Sequence, residues 1–350
     1  MYGNTNFCGC GNQYPIVPGS NPSLVTWDGQ KFVVADGTSQ LPINLPYIQH
    51  SETHLYLLGI NSQKVLNKLR YFKNIPINYL LIGGGGASGD SSGGVSAGGG
   101  GGGVISSTLN LSTNKTIAIS VGTGGQAPNK IPHTLSNGNP STLIVNSQTF
   151  TAFGGGYGGQ VSDYFYNGYN GSSGGGAGFQ IDIGPGTFGT GIIGQGNNGS
   201  IAGNAIDPNF GNSSYCGGGG GAGTAAGSYS YDSQGNLCGG SGGNGIASSI
   251  TGTSVYYGAG GEGNVDLDGG TYTLVGGLGY GGYGSGSQNY AYGYNKTTGQ
   301  TGIPNLAGFD GVCILSIPTQ YFSGTYTNAT VTTNGANTIL TFTQNGTYTT

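Results

Sequence analysis

Three overlapping glycine motifs between Gly184 and Gly199 have the spacing of a dinucleotide-binding loop. GPGTFG, GTGIIG and GQGNNG each satisfy the pattern G-x-G-x-x-G. That pattern binds pyrophosphate only where a strand runs into the N-terminus of a helix, whose backbone amides hold the phosphates. No helical pattern follows these motifs, and a chain this rich in glycine contains such spacings by chance. We therefore expect no bound nucleotide and no other cofactor.

Two segments have the residue types of metal ligands without the spacing of a metal site. His50 and His54 lack the glutamate that directly follows the first histidine in zinc proteases. Asp266 and Asp268, with Glu262 nearby, form a fragment of a calcium loop without its third oxygen position or its distal glutamate. The chain has only three histidines, and their positions suggest no catalytic arrangement of a serine or cysteine nucleophile with a histidine base. The sequence predicts no metal site and no enzyme.

Composition excludes two classes of partner. Charged residues are 6% of the chain, against roughly 25% in an average domain, and the net charge is −4. Nucleic-acid binding needs clustered cations, so no nucleic-acid partner is expected. The longest apolar stretches, Leu55–Ile60 and Tyr79–Ile82, are too short for membrane insertion.

The first residues show no secretory signal, so the five cysteines are expected as free thiols of a protein made in a reducing cytoplasm.

Three segments of different composition indicate the domain organisation. Residues 1–75 predict a β-rich segment for assembly or attachment. Residues 76–318 hold most of the 79 glycines and form the body of the chain. Residues 319–350 are a threonine-rich tail of predicted strands and hairpins.

Three dipeptides predict tight turns between strands. Asp28-Gly29 divides two short strand-like runs and indicates a type I′ hairpin. Asn334-Gly335 and Asn345-Gly346 divide the alternating threonine runs of the tail and predict two further hairpins.

The glycine runs must recover backbone entropy of about 1–2 kcal/mol per residue without burying side chains. Polyproline-II-type helices, with three residues per turn and a rise of about 3.1 Å per residue, offer one route. Because glycine has no side chain, several such helices can lie side by side and exchange backbone hydrogen bonds. A collagen register is absent, and the 11% of aromatic residues argues against disorder. The expected fold is mainly β with almost no α-helix, a β-framed glycine-rich sandwich of polyglycine II helices.

The order of elements in the body is specific enough to suggest a family. An apolar strand runs into glycines at Ile77–Gly89, Gly98–Gly125 carries a glycine run and two strands, Ser141–Gly159 repeats strand and glycine, and Gly311–Pro318 is an apolar closing strand. This order resembles the glycine-rich domain of bacteriophage tail fibres, tip adhesins and other virion structural proteins. The resemblance implies a protein of the virion surface, whose loops at the helix ends contact a host cell-surface glycan or protein.

Tyrosines cluster with Asn, Ser and Gly in the segments that such loops would form. Tyrosine gives a large amphipathic contact area at low entropic cost. The candidate receptor-binding residues are Tyr164, Tyr166, Tyr169, Tyr229, Tyr231, Tyr256, Tyr257, Tyr290, Tyr292 and Tyr294. The alternative is that these tyrosines are lids that pack over the glycine helices.

Eight N-x-S/T sequons occur, close to the number that this composition gives by chance. They make weak candidates for glycosylation: Asn110, Asn114, Asn170, Asn198, Asn212, Asn295, Asn328 and Asn345.

The tail suggests a second hypothesis, a self-assembling extracellular or virion filament. Its strand could complete the sheet of the next subunit and join subunits head to tail. The candidate complementation residues are Ile339, Leu340, Phe342 and Tyr348. The alternative is a tail that folds back on its own chain. A homo-oligomer, either a trimer or a filament, is expected in both hypotheses, and ice binding by a flat polyglycine lattice is a remote third.

Overall fold

The computed structural model describes most of the body and tail. The described residues are 74–89, 96–126, 136–159, 166–180, 183–208, 211–233, 235–265 and 307–350, together with the backbone of Asp266 and of four strands between residues 24 and 57.

The chain divides into two compact units. The first unit comprises Met1–Ile75 with Asn110–Asn114, and the second comprises Pro76–Leu109 with Lys115–Thr350. In the first unit, four strands form an antiparallel sheet in the order β2-β1-β4-β3, and they are β1 Leu24–Trp27, β2 Phe32–Val34, β3 Tyr47–Ser51 and β4 His54–Leu57. The later strands lie in the second unit, except that Ile75 and residues 110–111, at the ends of two strands, are assigned to the first.

The described residues contain strands and one short 3-10 turn, Thr319–Tyr321, and no α-helix. The strands are β1 Leu24–Trp27, β2 Phe32–Val34, β3 Tyr47–Ser51, β4 His54–Leu57, β5 Ile75–Ile82, β6 Val104–Leu111, β7 Thr116–Ser120, β8 Ser141–Val145, β9 Gln148–Ala152, β10 Phe179–Gln180, β11 Gly184–Pro185, β12 Gly203–Asp207, β13 Gly211–Tyr215, β14 Ser230–Tyr231, β15 Leu237–Cys238, β16 Ile246–Ser248, β17 Val255–Tyr257, β18 Val265–Asp266, β19 Val312–Pro318, β20 Thr325–Thr327, β21 Thr330–Asn334, β22 Asn337–Phe342 and β23 Gly346–Thr349.

Two five-stranded sheets frame the second unit. The first sheet has the order β21-β22-β19-β5-β6 and the second has the order β20-β23-β7-β8-β9. The predicted entry and closing strands are neighbours in the first sheet, where Ile82 of β5 pairs with Val312 of β19. β19 is almost continuously buried and β5 is continuously buried from Tyr79 to Ile82, as strands covered on both faces are. In the second sheet, β7 instead alternates between buried and exposed residues, as a strand with one solvated face does.

A hydrophobic core and a buried serine join the two sheets near the point where the strands enter the glycine runs. The hydroxyl of Ser141 in β8 donates to the carbonyl of Ile82 in β5 (2.6 Å) and accepts from the amide of Gly122 (2.9 Å). The rings of Tyr79 and Phe150 meet at a centroid distance of 5.5 Å. One apolar cluster on the first sheet comprises Leu80, Ile82, Val104, Ala222, Tyr257, Val312, Ile314 and Ile339.

The glycine segment that follows β5 bonds to three neighbours in rotation. Every third amide of residues 83–89 donates to residues 97–103, with N···O distances of 3.0, 2.8 and 2.9 Å. The amides of Gly84 and Ala87 donate to a second segment, residues 136–139 (2.9 and 3.4 Å). The amide of Gly85 donates to a third, at the carbonyl of Phe309 (2.9 Å). A bonding direction that repeats every three residues is the geometry of a polyproline-II-type helix.

The same three-residue period continues from segment to segment. Backbone amides of residues 97–103 donate to carbonyls of residues 153–159 (3.0, 2.8 and 2.8 Å) and of residues 217–220 (3.1 and 2.9 Å). Amides of residues 217–220 donate in turn to carbonyls of residues 174–177, with two N···O distances of 2.8 Å. We call this network of cross-linked segments the glycine lattice. It confirms the predicted β-framed fold, because the backbone amides of glycine-rich segments bond across neighbours where no side chains intervene.

The turn predictions are partly right. β1 and β2 form the predicted hairpin, but Trp27 pairs with Phe32, so four residues separate the strands where two were expected. β21 and β22 also form a hairpin, with Asn334 paired to Asn337 and a two-residue loop shifted by one position. Gly335 has a φ of 57° as the first residue of that loop, a position that favours glycine.

The hairpin predicted at Asn345-Gly346 is wrong. β22 belongs to the first sheet and β23 to the second, so the chain crosses between the sheets there. Asn345 stabilises the crossing because its Oδ1 accepts the amide of Val121 (2.9 Å).

Candidate functional site

A stacked pair of tyrosines marks one edge of the glycine lattice. The rings of Tyr157 and Tyr169 lie 4.2 Å apart with an interplanar angle of 21°. The amide of Tyr169 also donates to the carbonyl of Tyr157 (2.9 Å), so the backbones of the two segments are joined. Burial, and next the hydrogen bond to the Tyr169 side chain, raise the pKa of Tyr157. Tyr169 itself remains 49% exposed.

Segment 166–171 presents three different faces because residues three apart share a face of a polyproline-II-type helix. Tyr166 and Tyr169 share one face, with their Cα atoms about 9 Å apart along the axis by the helix rise. Gly168 and Gly171 share another, and their amides donate to segment 187–190 (2.7 and 3.3 Å). The lattice therefore fixes the spacing of the two tyrosines through the backbone.

The third face of this segment is a ladder of asparagine side chains. Asn167 Oδ1 accepts both the amide and the hydroxyl of Thr187 (2.8 and 3.0 Å), and Asn170 Oδ1 does the same with Thr190 (2.7 and 2.9 Å). The four residues are exposed. Tyr166 and Tyr169 were among the predicted residues, and Tyr157 was not. The ladder was also missed, although its signal is the spacing of three in both Asn-x-x-Asn and Thr-x-x-Thr. We call Tyr157, Tyr166, Tyr169, Asn167 and Asn170 the Tyr–Asn surface.

A second tyrosine group joins the end of β13, before the glycine segment 216–221, to residues 229–231 after it. Tyr215 is buried, and its ring lies 4.7 Å from that of Tyr229, which in turn meets Tyr231 edge to face at 6.1 Å. Burial, and next the neighbouring Tyr229, raise the pKa of Tyr215. The hydroxyl of Tyr231 donates to the carbonyl of Ile206 (2.9 Å). Tyr229 and Tyr231 are 38% and 47% exposed, so this group also presents aromatic surface.

Tyr257 was wrongly included among the candidate receptor-binding tyrosines. It was grouped with the loop tyrosines, yet it is only 3% exposed and packs in the core cluster of the first sheet. Tyr256 precedes it in β17 and is half-buried. Successive residues of a strand point to opposite faces, which explains the difference. Tyr164, Tyr290, Tyr292 and Tyr294 lie outside the described residues.

The family comparison agrees with the lattice and its framing strands. The profile of the glycine-rich domain matches residues 73–318, more than half of the chain. The chain belongs to the glycine-rich domain family. No curated protein and no solved structure gives a significant match. The matched residues thus begin just before β5 and end with β19, which are neighbours in the first sheet.

The candidate complementation residues lie in strands that complete both sheets of the glycine-rich domain within one chain. Ile339, Leu340 and Phe342 are in β22, which pairs with β19, and Tyr348 is in β23, which pairs with β7. All four side chains are fully buried. Exchange of these strands between chains remains a prediction.

Several sequon asparagines contribute to loop structure through their side chains. Asn198 Oδ1 accepts the amide of Gly191 (2.9 Å), and the Nδ2 of Asn328, the atom that a glycan would modify, donates to the carbonyl of Asn345 (2.9 Å). The other described sequon positions are also exposed: Asn110, Asn114, Asn170, Asn212 and Asn345. Asn295 lies outside the described residues.

Two amides of the G-x-G-x-x-G motifs are bonded within the glycine lattice. Those of Gly186 and Gly189 donate to the carbonyls of Gly178 and Gly175 (2.9 and 2.8 Å). In the part of the chain that the structure describes, no three His, Cys, Asp or Glu side chains are grouped to hold a metal ion. Nor do those residues include a helix long and apolar enough to cross a bilayer.

Proposed function

We propose that the protein is a non-enzymatic structural component of a virus particle, a tail-fibre or surface-fibre protein whose tyrosine-rich loops bind a receptor on the host cell. The viral part of the proposal is supported by the resemblance of the element order to virion glycine-rich domains. The receptor is a cell-surface glycan or protein.

The observation that carries the binding role is the attachment of the Tyr–Asn surface to the lattice. Its segment is held by backbone bonds on one side and by the Asn–Thr ladder on another. Ordering a loop during binding costs free energy, and a surface that is already fixed avoids much of that cost. Exposed tyrosine with adjacent amide groups is the composition of adaptable binding surfaces.

The chemistry of the surface suits an uncharged or weakly charged receptor. The five residues of the Tyr–Asn surface carry no charge, and the charged neighbour of Tyr229 and Tyr231 is Asp232, whose carboxylate accepts the amide of Asn236 (2.8 Å). Contacts would therefore come from aromatic faces and amide hydrogen bonds, and binding should depend little on ionic strength. Both sugars and uncharged protein patches have complementary groups.

A binding assay tests the proposal. The labelled full chain is applied to arrays of cell-surface glycans and to panels of cells. We expect the double variant Tyr166→Ala/Tyr169→Ala to bind at least tenfold more weakly. Tyr326→Ala, which removes a 38% exposed tyrosine from β20, is the matched control and should bind as the wild type does. Melting temperatures establish that both variants are folded.

Two results would contradict the proposal. If the double variant and the control bind equally well, the Tyr–Asn surface does not contact the receptor. Immunogold electron microscopy with an antibody to the chain tests the viral part separately, since absence of label from purified particles would refute it.

A further inference from the structure

Among the residues that the structure describes, strand β21 is the outermost strand of the first sheet. It pairs there with β22 on one side, over Thr330–Asn334, in a register without a bulge. At its last residue the turn at Gly252 approaches the side chain of Asn334. The first four residues are exposed. Edge strands are usually protected by charged residues, proline, a bulge or a covering segment. β21 has the sequence TVTTN, with no charge and no proline.

The hairpin register identifies which backbone groups of β21 point outward. In a two-residue hairpin the pair that flanks the loop exchanges hydrogen bonds, here Asn334 with Asn337. Bonded and non-bonded pairs then alternate along an antiparallel ladder. Thr332 therefore bonds to β22, whereas the N–H and C=O groups of Val331 and Thr333 point away from it. Neither residue has another backbone bond in the part of the chain that the structure describes.

Edge strands of the second sheet are better protected. At β9, the side chain of Gln195 covers the edge, since its Nε2 donates to the carbonyl of Thr151 (3.0 Å) and its Oε1 accepts the amide of Phe153 (2.9 Å). At the opposite edge, β20 is only three residues long, and short edges are poor templates for pairing. β21 has neither device.

We infer that β21 pairs with β21 of a second copy of this chain, antiparallel and across a two-fold axis at Thr332. In this register Val331 lies opposite the partner subunit's Thr333, and Thr333 lies opposite the partner subunit's Val331. The two outward N–H and two outward C=O groups of each strand then form four hydrogen bonds. Because antiparallel self-pairing is isologous, it closes into a dimer, unlike the trimer or filament expected from the sequence.

The side chains along β21 are compatible with such pairing. Thr332 would face the partner's Thr332 in a non-hydrogen-bonded pair, where Cα atoms are about 4.5 Å apart. Threonine and valine are favourable cross-strand neighbours, and the strand brings no like charges together although each chain carries a net charge of −4. The inference does not depend on host binding.

Cysteine cross-linking tests the register. In the full chain with Cys8→Ser and Cys10→Ser, we expect Thr332→Cys to form a disulfide-linked dimer on oxidation, because the two sulfurs meet at the axis. Thr330→Cys is the matched control, since its copies would be about 13 Å apart along the strand. Equal cross-linking of the two variants, or none in either, would overturn the inference.

The oligomeric state tests the interface itself. By analytical ultracentrifugation we expect a mass twice that of the 34.9 kDa chain. Val331→Pro removes one outward N–H without removing a bond to β22, so it should raise the dimer dissociation constant at least tenfold. Val331→Thr keeps the N–H and should dimerise as the wild type does. A monomer at all concentrations, a polymer that grows with concentration, or a proline variant that dimerises normally would each refute the pairing.

Discussion

A methyl group on the Cα of Gly100 would lie 2.1 Å from the carbonyl oxygen of Ser173. The amide of Gly100 donates at the same time to the carbonyl of Gly156 (2.8 Å), so the residue lies between two neighbouring segments. The obstacle is backbone, which cannot rotate away as a side chain can. At this position the lattice admits only glycine.

We therefore predict that Gly100→Ala lowers the free energy of unfolding by about 3 kcal/mol or more, the upper range for overpacking. Chemical denaturation measures the change. Gly227→Ala is the control, because the one close atom that its new methyl group would meet is the hydroxyl oxygen of Ser241, at 2.3 Å, which can rotate away. That variant should lose less than about 1 kcal/mol. Equal losses would mean that the segments do not pack as closely as described.

The lattice should also protect its interior from solvent. Cys216 is fully buried, its amide donates to Asn264 (2.8 Å) and its carbonyl accepts the amide of Gly240 (2.9 Å). Alkylation of its thiol requires both neighbouring segments to open. We predict that iodoacetamide labels Cys216 in the native chain at less than about 1% of its rate in denaturant.

Deuterium uptake measured on the same peptides gives an independent readout. Amides of residues 216–221 should exchange as slowly as those of β19. Cys313 is the internal control for alkylation, because it is fully buried in β19 and burial raises the pKa of its thiol. Fast labelling of Cys216 with slow labelling of Cys313 would show a loose lattice on a stable sheet.

Much of the frame could be predicted from the sequence because apolar side chains report burial directly. Ile77–Ile82 and Gly311–Pro318 were predicted as strands, and they lie side by side in the first sheet. The hairpin at Asn146-Ser147, where both residues have positive φ, was missed because the segment reads as one continuous strand. The pairing of strands into two sheets was not predictable, since threonine alternation in the tail fits either sheet.

The partners of each glycine segment could not be predicted, for a physical reason. A glycine presents the same amide and carbonyl whichever segment it meets, so nothing in the run 98–103 specifies that it bonds to 153–159. At the candidate site, tyrosine and asparagine composition indicated segment 166–170, and its role in binding remains a prediction. The Tyr157–Tyr169 stack was not foreseen, because it joins segments that the sequence does not show to be neighbours.

Tyr157 predicts a pH dependence of stability. Its pKa is raised by burial, and next by the hydrogen bond to the Tyr169 side chain. The unfolded chain therefore loses this proton first, at about pH 10, and stability that is fully present below that pH falls as the pH rises further. We predict that the melting temperature drops between pH 9.5 and 11.5, and that Tyr157→Phe drops less steeply. Tyr326→Phe is the control, and an identical slope in Tyr157→Phe and the wild type would contradict the prediction.

The last strand gives a direct test of whether this fold can accept a strand from another molecule. Tyr348 of β23 is fully buried, pairs with Ile117 of β7 and stacks on Phe322, with ring centroids 6.0 Å apart. A chain that ends at Thr343 would lack β23 and leave the edge of β7 unpaired. We predict that it melts at a lower temperature than the full chain, and that a peptide of residues 344–350 added in excess raises that temperature again by binding to the folded form.

The control peptide carries Tyr348→Ser, which keeps the backbone groups for pairing but cannot fill the buried ring site. It should restore little stability, since burial of a large aromatic side chain accounts for most of the gain. Head-to-tail assembly through the tail requires that β7 accept this strand in trans. If the native peptide fails to bind at millimolar concentration while the shortened chain remains folded, the strand works only within its own chain and the filament hypothesis is wrong.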